Sequence, residues 1–408
     1  MISVEEAQER IARAIAAAPP PATETLPLAA AAGRVLAVSL LARLTQPPQA
    51  VSAMDGWAVR AADCQETPVT LTVVGEISAG QMPNLPLGPR QCQRIFTGAP
   101  VPAEANAVVL QENSRRLSAD AVAIHGKVSP DQHIRRPGID FTQGDPVMTA
   151  PRLLNSRSLS LIAAANQPQV VVFRRPRVGI LSTGSELVAV GQEPQSPAQI
   201  ISSNGFGLAA LVAASGGEPF DLGTVADDRA ALDERLAFAR TQNLSILVTI
   251  GGASVGDHDL VQAATRDLGM SLDFWKIAMR PGKPLIFGQF ADQRLFLGLP
   301  GNPVSCSICG LMFLRPAIHQ LLGLSLPPLR LPARVTRELR ANDERREYLR
   351  ATLQTSPSGE WLVTPAASQD SSLHSVLAAA DCLIDRPPGA AAASAGSLVE
   401  VLLLPLGF

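Results

Sequence analysis

The chain has 408 residues, which exceeds the roughly 250 to 300 residues at which a single hydrophobic core stops growing, so we expect two or more domains. Its formal net charge of -2 and its pI of about 6.2 provide no global basic field, and we therefore expect no nucleic-acid partner. The apolar run at residues 26–44 is interrupted by two arginines and a glycine, which excludes a membrane span of about 20 uncharged residues there.

The N-terminal residues and the cysteines both favour a cytoplasmic protein. Ser3 and Glu6 have the spacing of a capping box ahead of an amphipathic helix, and the segment lacks the cationic start and apolar core of a signal peptide. The five cysteines are scattered, as is typical of reduced thiols. Cys306 and Cys309 form a CxxC pair within an apolar helical run, and we interpret them as core thiols rather than as metal ligands or redox groups.

The predicted secondary structure changes from helical and irregular to β-rich near Thr45. The preceding residues are helical and then irregular, and three consecutive prolines close the first helix. Short runs that alternate or are β-branched follow, with Gly, Pro and Asn between them, and they predict a small β-rich domain that ends near Asp145. A helix is predicted again at residues 156–165.

From Arg177 onward the chain alternates strand and helix. This alternation predicts a mainly parallel sheet with helices packed on both faces, that is, an α/β domain. A final helix is predicted from Pro303 to Leu322, and a linker at residues 325–328 follows it. The remaining runs predict a small all-β module at the C-terminus.

A glycine-rich loop, GGASVGD, follows one strand of the α/β domain. Ligands of open α/β sheets bind beyond the carboxyl ends of the strands, where this loop lies. Its backbone N–H groups are expected to face phosphate oxygens, although a purely structural turn is the competing interpretation. The candidate ligand-binding residues are Gly251, Gly252, Ser254 and Gly256.

A second loop, LPGNPVS, follows another strand of the same domain. Pro300 and Gly301 form a tight turn, Asn302 is a preferred N-cap, and the next proline suits the first helical position. The free N–H groups of that helix start, with the hydroxyl of Ser305, predict an anion site. The competing interpretation is a well-capped helix without a ligand. Neither loop matches a P-loop or a Rossmann fingerprint, so we exclude both.

Three cations lie between these loops in the segment FWKIAMRPGKPL. If Lys276 ends a strand and Arg280 and Lys283 flank a turn, all three could converge on one polyanion. A solvated basic loop is the alternative.

Carboxylates are predicted at the same edge of the sheet. Glu186 follows a strand, Asp227 and Asp228 precede a helix, and Asp259 lies in the first turn of another helix. Each one could be a helix cap. Facing the cations, Glu186, Asp227 and Asp259 would form a Mg²⁺ and phosphate site, because Mg²⁺ is usually held by one or two carboxylates and substrate phosphates.

Two further signals lie in the β-rich region. Asp55 is on a glycine turn beside Trp57, and Thr97 is on another turn. A β-turn explains each of them alone.

In this order, the motifs AMDGWAVR, RIFTGAPVP, STGSEL, GGASVGDHD, FWKIAMRPGKP and LPGNPVS resemble those of the molybdopterin molybdenumtransferase (MoeA) family, which is related to the gephyrin E domain. The resemblance covers nearly the whole chain. It implies insertion of molybdate into adenylylated molybdopterin, with release of AMP and with assistance from Mg²⁺. Competing functions are a molybdopterin adenylyltransferase, which shares only the α/β domain, and a non-catalytic molybdopterin-binding or scaffold protein.

The resemblance also implies an elongated homodimer with an active site shared between subunits, and an adenylyltransferase is a candidate partner. The implied domains are an N-terminal domain at 1–44 plus 143–175, an inserted β-rich domain at 45–142, a molybdopterin-binding α/β domain at 176–324 and a C-terminal β domain at 325–408. Asp55 and Thr97 would then reach the active site of the other subunit.

The functional positions of the family fall on ten residues of this chain. Ser185 and Ser202 stand where the family often has aspartate, and Arg280 stands where many members have lysine. The ten residues are Asp55, Thr97, Asp140, Glu186, Asp227, Asp259, Lys276, Arg280, Arg350 and Ser371.

Overall fold

The computed structural model describes residues 1–19, 21–252, 260–405 and 408. The described chain divides into two compact units. Unit 1 comprises Met1–Glu24, Gly33–Val35 and Phe173–Phe408, and unit 2 comprises Thr25–Ala32 and Leu36–Val172. Within the described ranges, no helix combines the length and the apolar character needed to cross a membrane.

The helices are few and mostly short. A π-helical turn at Gly310–Leu314 joins α6 to α7, so the helix predicted to follow the LPGNPVS loop is formed almost to its predicted end. The described α-helices are α1 (Val4–Ala16), α2 (Ser156–Ala164), α3 (Asn204–Ala214), α4 (Arg229–Arg240), α5 (Leu260–Asp267), α6 (Pro303–Cys309), α7 (Arg315–Leu321) and α8 (His374–Ala378). Single 3₁₀ turns lie at Leu28–Ala30, Ala61–Cys64 and Gln111–Asn113.

Strands make up most of the remaining regular structure. Those up to residue 153 are β1 (Thr23–Pro27), β2 (Val35–Leu36), β3 (Leu40–Leu41), β4 (Val51–Ser52), β5 (Gly56–Val59), β6 (Val69–Ile77), β7 (Gln91–Ile95), β8 (Ala107–Leu110), β9 (Ser114–Arg116), β10 (Ala121–Ile124), β11 (Ile134–Arg135), β12 (Pro146–Met148) and β13 (Arg152–Leu153). The later strands are β14 (Gln169–Phe173), β15 (Arg177–Thr183), β16 (Leu187–Val188), β17 (Ile200–Ile201), β18 (Glu218–Val225), β19 (Ile246–Ile250), β20 (Met270–Lys276), β21 (Met279–Arg280), β22 (Pro284–Phe290), β23 (Leu295–Leu299), β24 (Arg330–Val335), β25 (Arg346–Thr355), β26 (Trp361–Pro365), β27 (Cys382–Arg386) and β28 (Leu398–Leu403).

Helix α1 begins at the predicted cap. The hydroxyl of Ser3 accepts a hydrogen bond from the Glu6 N–H at 3.0 Å, which satisfies one of the free donors of the first turn. The Glu6 carboxylate pairs instead with Arg10 at 2.6 Å, one turn further on. The capping box is therefore only half formed. The buried residues of α1, Val4, Ala7, Ile11 and Ile15, form the single apolar stripe that the amphipathic pattern predicts.

The α/β domain of unit 1 contains a six-stranded sheet in the order β18-β15-β19-β23-β22-β20. The first four of these strands are mutually parallel, and β22 runs antiparallel to both of its neighbours. Every residue of β19 and β23 is buried, as is typical of parallel strands covered on both faces. The predicted, mainly parallel α/β sheet is confirmed.

Two separate cores pack on the two faces of this sheet. Ile246 and Val248 of β19 face the core that contains α1, α3, α6 and α7, whereas Leu247 faces the core that contains α4 and α5. Successive side chains of a strand point to opposite faces, so one apolar run supplies both cores. The carboxyl ends of the parallel strands are thereby fixed along one edge.

The C-terminal module of unit 1 is a closed barrel of five strands in the order β25-β26-β24-β28-β27, with β27 pairing back to β25. Strand β21 pairs in parallel with the first two residues of β25 and is not one of the five barrel strands. Val363, Ile384 and Val401 are completely buried in the barrel core. The predicted all-β module is confirmed as a small barrel.

Unit 2 contains the predicted β-rich region together with residues on either side of it. Its largest sheet is an open half-barrel of six strands in the order β8-β5-β7-β6-β10-β9. Strands β1, β14, β2 and β13 form a four-stranded sheet, and β4–β11 and β3–β12 form short pairs. Trp57 is buried in the core of the half-barrel, and its indole N–H donates to the Ser114 hydroxyl at 2.9 Å.

A buried carboxylate stabilises the C-terminal barrel. The side chain of Asp385 is 1 % exposed and accepts two hydrogen bonds at 2.7 Å from the guanidinium of Arg346, and Arg330 pairs with it as well. Arg346 also pairs with Glu5 of α1. Removal of one member of a buried charged network leaves the other charges uncompensated.

We predict that Asp385→Asn, which keeps the volume but removes the charge, lowers the free energy of unfolding by about 3 kcal/mol. Glu360→Gln is the matched control in the same barrel, because the Glu360–Arg334 pair is half exposed and is expected to contribute less than about 1 kcal/mol. Urea unfolding of both variants measures the difference. Equal losses in the two variants would contradict the role of the buried network.

Candidate functional site

Three loops meet beyond the carboxyl ends of β15, β19 and β23. The Gly251 N–H donates to the Leu299 carbonyl at 3.1 Å, which joins the two glycine-rich loops. A Cβ atom on Gly251 would lie 2.5 Å from the carbonyl oxygen of Thr183, and one on Gly301 would lie 3.6 Å from the Gly251 Cα. The predicted ligand-binding loops are therefore close together.

The backbone requires glycine in the first loop. Gly251 and Gly252 have φ values of +88° and +63°, in the left-handed region. A Cβ atom on Gly252 would also lie 2.4 Å from a methyl group of Val261. Because the Gly251 N–H is bonded to Leu299, the expectation that it faces a phosphate is wrong. The Gly252 N–H has no acceptor among the described residues, whereas Ser254 and Gly256 lie outside them.

The second loop leads into α6 through Asn302, the residue at the N-cap position. Its side chain makes no capping hydrogen bond, which corrects the predicted role. Its amide group donates instead to the hydroxyl of Ser371 at 3.1 Å, and the N–H of Val304 donates to the Ser371 carbonyl at 3.0 Å. The Val304 N–H is therefore not free for an anion.

The N–H groups earlier in this loop remain available. Neither Gly301 nor Asn302 has a backbone N–H bonded to any acceptor in the part of the chain that the structure describes. Pro300 is buried and has no N–H to donate. Ser305 is only 5 % exposed, so its hydroxyl lies below the surface of the loop. The available donors are thus in the turn before the helix.

The side chain of Arg350 is buried and makes its contacts inside the protein. It is 1 % exposed, and its guanidinium donates to the carbonyl of Asp370 at 3.1 Å. Burial lowers the pKa of Arg350. The Gln369 side chain bonds both the N–H and the carbonyl of Arg350, at 2.9 and 3.0 Å. Arg350 therefore holds the segment that carries Ser371 and does not present its charge at the surface.

The carboxylates Glu186 and Asp227 are both exposed beside Ser185. Ser185 and Asp227 bond each other reciprocally: the Ser185 N–H donates to Asp227 Oδ2 at 3.3 Å, and the Asp227 N–H donates to Ser185 Oγ at 3.0 Å. Asp228, not Asp227, caps α4. Ser185 thus holds the loop that carries Asp227 in place.

Asp259, the third predicted carboxylate, lies outside the described residues. Among the described residues, no group of three or more His, Cys, Asp or Glu side chains is arranged to hold a metal ion.

Arg280 is already neutralised within the chain. Its guanidinium pairs with Glu347 at 2.8 Å and with Asp343 at 3.6 Å. The hydrogen bond from Arg345 and the charge of Arg280 both lower the pKa of Asp343, which is held at about 2. Arg280 therefore already has acidic partners within the chain, and the convergence of the three cations on one polyanion stays a prediction.

The two lysines have no ion-pair partner in the described ranges. Lys276 ends β20, and its ammonium lies 3.7 Å from the centre of the Trp275 ring. Lys283 is exposed after the turn. The chain has 34 Lys and Arg residues but only three lysines, of which these are two. Both lie at the sheet edge where β23 ends, because β20, which ends with Lys276, is parallel to β23, and β22, which Lys283 precedes, is antiparallel to it.

In unit 2, Asp55 and Thr97 are brought together. One carboxylate oxygen of Asp55 accepts hydrogen bonds from both the N–H and the hydroxyl of Thr97, each at 2.8 Å. These bonds, that from the backbone first, lower the pKa of Asp55. Asp140 is exposed, its N–H donates to Gln46, and its carboxylate has no partner among the described residues.

Comparison with known proteins gives matches over nearly the whole chain. Residues 2–166 match the profile of the MoeA N-terminal region (domain I and II), 179–320 that of a probable molybdopterin binding domain, and 332–404 that of the MoeA C-terminal region (domain IV). The molybdopterin molybdenumtransferase of Nostoc sp. is 38 % identical over 393 residues, which are 94 % of this chain and 89 % of that protein. The chain belongs to the MoeA family.

Other relatives of this MoeA family member are similarly complete. The molybdopterin molybdenumtransferase of Haemophilus influenzae is 34 % identical over 94 % of each chain. The crystal structure of a molybdopterin biosynthesis MoeA protein from Pyrococcus horikoshii superposes with a TM-score of 0.84 at 26 % identity, covering 99 % of this chain and 100 % of that chain. The similarity therefore extends through both units.

Sequence reasoning missed one contact at this MoeA site and a second contact outside it. Asn204, the first residue of α3, donates to the Gly301 carbonyl at 2.7 Å. The preceding Ser203 lies 3.0 Å from a ring nitrogen of His374 in α8. The Ser-Asn-Gly sequence at residues 203–205 could have indicated these contacts. It is equally typical of an ordinary helix start, however, and so it does not reveal them.

We predict that Thr97→Val raises the pKa of Asp55, because one of its two donors is lost. The pKa stays below its ordinary value, since the backbone bond remains. These bonds favour the carboxylate, so their contribution to stability is present at neutral pH and is lost as the pH falls through the lowered pKa. Carbon-detected NMR titration of aspartate-labelled protein measures the pKa, and Thr97→Ser, which keeps both donors, is the control. An unchanged pKa in Thr97→Val would refute the assignment.

Proposed function

We propose that the protein is a molybdopterin molybdenumtransferase, which inserts molybdate into adenylylated molybdopterin and releases AMP to give the molybdenum cofactor. The observation that carries the proposal is the meeting of three loops at the sheet edge that also carries two lysines and exposed carboxylates, in a chain that matches MoeA relatives over nearly its whole length. The donors and cations suit a substrate with several phosphate oxygens.

The N–H groups of Gly252, Gly301 and Asn302 bind the phosphate oxygens in this proposal. Lys276 and Lys283 hold the oxyanions of molybdate or of the terminal pterin phosphate, because an ammonium group is a compact charge that binds such groups well. A molybdate oxygen attacks the phosphorus on the pterin side, and the bond between that phosphorus and the bridging oxygen breaks. AMP leaves with the bridging oxygen. The two dithiolene sulfurs then displace the phosphate oxygen from molybdenum, and the two thiol protons leave with one oxo group as water. The protein acts by positioning and electrostatics and forms no covalent intermediate.

The exposed carboxylates suit Mg²⁺, which prefers oxygen ligands and is usually bound by one or two protein carboxylates. Asp227 uses Oδ2 to accept the Ser185 N–H, and its Oδ1 has no partner among the described residues. Glu186 and Asp227, together with Asp259, would hold the ion. When bound, Mg²⁺ supplies neutralisation of the pyrophosphate charge.

The proposal includes a homodimer in which Asp55 and Thr97 complete the site of the other subunit. Their shared hydrogen bonds support a single functional unit, since Thr97 fixes the orientation of the Asp55 carboxylate. Transfer of the substrate from an adenylyltransferase also belongs to this proposal. A cytoplasmic location is supported by the five cysteines, which are all buried free thiols.

The test of the function is release of AMP from adenylylated molybdopterin by the purified protein, measured with and without molybdate and across a Mg²⁺ titration. We expect release to depend on both. Release that is indifferent to molybdate would refute the proposed reaction. Formation of adenylylated molybdopterin from ATP would instead identify an adenylyltransferase, and binding without turnover would identify a scaffold.

We predict that Lys276→Met lowers kcat/KM about 100-fold, the usual cost of removing one group that stabilises an oxyanion. The third lysine of the chain, Lys127, is exposed in unit 2 and gives the matched control Lys127→Met. Steady-state AMP release measures activity, and light scattering confirms an unchanged oligomeric state. If kcat/KM falls less than a few-fold in Lys276→Met, or falls equally in Lys127→Met, Lys276 does not bind the substrate.

A further inference from the structure

The Pro300–Asn302 turn is held by a side chain that none of the sequence motifs includes. Asn204 donates from its amide nitrogen to the carbonyl oxygen of Gly301 at 2.7 Å, a short and direct hydrogen bond. Asn204 is the first residue of α3 and is half-buried, and the loop it contacts is exposed. The bond therefore runs from a packed helix to the surface turn that carries the free N–H groups.

This bond determines where the Asn302 N–H points. The Gly301 carbonyl and the Asn302 N–H belong to one planar peptide, which is not among the cis peptides of the structure, so the two groups point in opposite directions. With the carbonyl held toward Asn204, the N–H must point away from it. That N–H has no acceptor among the described residues.

The contacts from the barrel do not replace this bond. Ser371 holds the side chain of Asn302 and the N–H of Val304, and neither contact restrains the Gly301 carbonyl. Gly301 has no side chain to limit rotation of the peptide. Without Asn204, the peptide could turn and present its carbonyl oxygen, which repels a phosphate.

We propose that Asn204 is a positioning residue for the proposed reaction, and this inference rests on that function. It orients the Gly301–Asn302 peptide so that the Asn302 N–H donates to a phosphate oxygen of the adenylylated substrate. The donor of Asn204 is essential, because an aspartate of the same size offers only acceptors to the Gly301 carbonyl. Asn204 itself does not touch the substrate.

The test compares Asn204→Ala and Asn204→Asp with wild type and with Ser203→Ala, which alters the neighbouring exposed contact to His374. Calorimetric titration with AMP alone, without molybdate, gives the affinity. We expect AMP to bind about 10-fold more weakly to both Asn204 variants, the effect of losing one good hydrogen bond. KM for adenylylated molybdopterin should rise in parallel. Ser203→Ala should stay within about 2-fold of wild type, because an exposed hydrogen bond contributes little.

Thermal unfolding separates positioning from folding, since the midpoint should be unchanged while the AMP affinity falls. If either variant fails to fold, Asn204→Ser, whose hydroxyl is one bond shorter than the amide, takes its place. If Asn204→Ala binds AMP with wild-type affinity, the inference is overturned. If only Asn204→Asp binds AMP more weakly, the weaker binding comes from the negative charge of the aspartate, and the inference is overturned as well. Wild-type protein that binds AMP but shows no molybdate-dependent release would refute the proposed function, while the affinities would still decide the role of Asn204.

Discussion

The Pro300–Asn302 turn depends on hydrogen bonds that the barrel module supplies to the start of α6. Ser371 accepts from the Asn302 side chain and from the Val304 N–H, and the buried guanidinium of Arg350 holds the segment that contains Ser371. A turn rich in Pro and Gly with exposed N–H groups would otherwise sample several conformations, at a cost in binding free energy. The C-terminal barrel thus contributes to the site without presenting a charge to the ligand.

The parallel sheet explains why loops so distant in sequence meet. Strands β15, β19 and β23 are neighbours and run in the same direction, so the loops that follow them emerge at one edge. Gly251 lies so close to the Thr183 carbonyl that a side chain there would force the loops apart. The glycines of the first loop are therefore required by packing between loops as much as by any ligand.

The sequence was most informative where one physical rule acts alone. Alternating strands and helices predicted the α/β sheet, and β-branched runs predicted a β-rich region and a C-terminal β module, which the structure forms as a half-barrel and a barrel. It could not show which polar groups are already satisfied inside the chain. The Gly251 N–H, the Val304 N–H and the Arg280 guanidinium have acceptors or ion-pair partners from distant segments, and no local pattern encodes those contacts.

Arg280 and the lysines show how such contacts alter the electrostatics of the site. An anion that binds Arg280 must compete with Glu347 and Asp343, whose charges are already within 4 Å of the guanidinium. The ammonium groups of Lys276 and Lys283 face no such competitor among the described residues, and a partly desolvated ammonium attracts an oxyanion more strongly than a solvated one. Arg280 therefore links β21 to the barrel through these two carboxylates. The positive charge that remains for an oxyanion is concentrated on the two lysines.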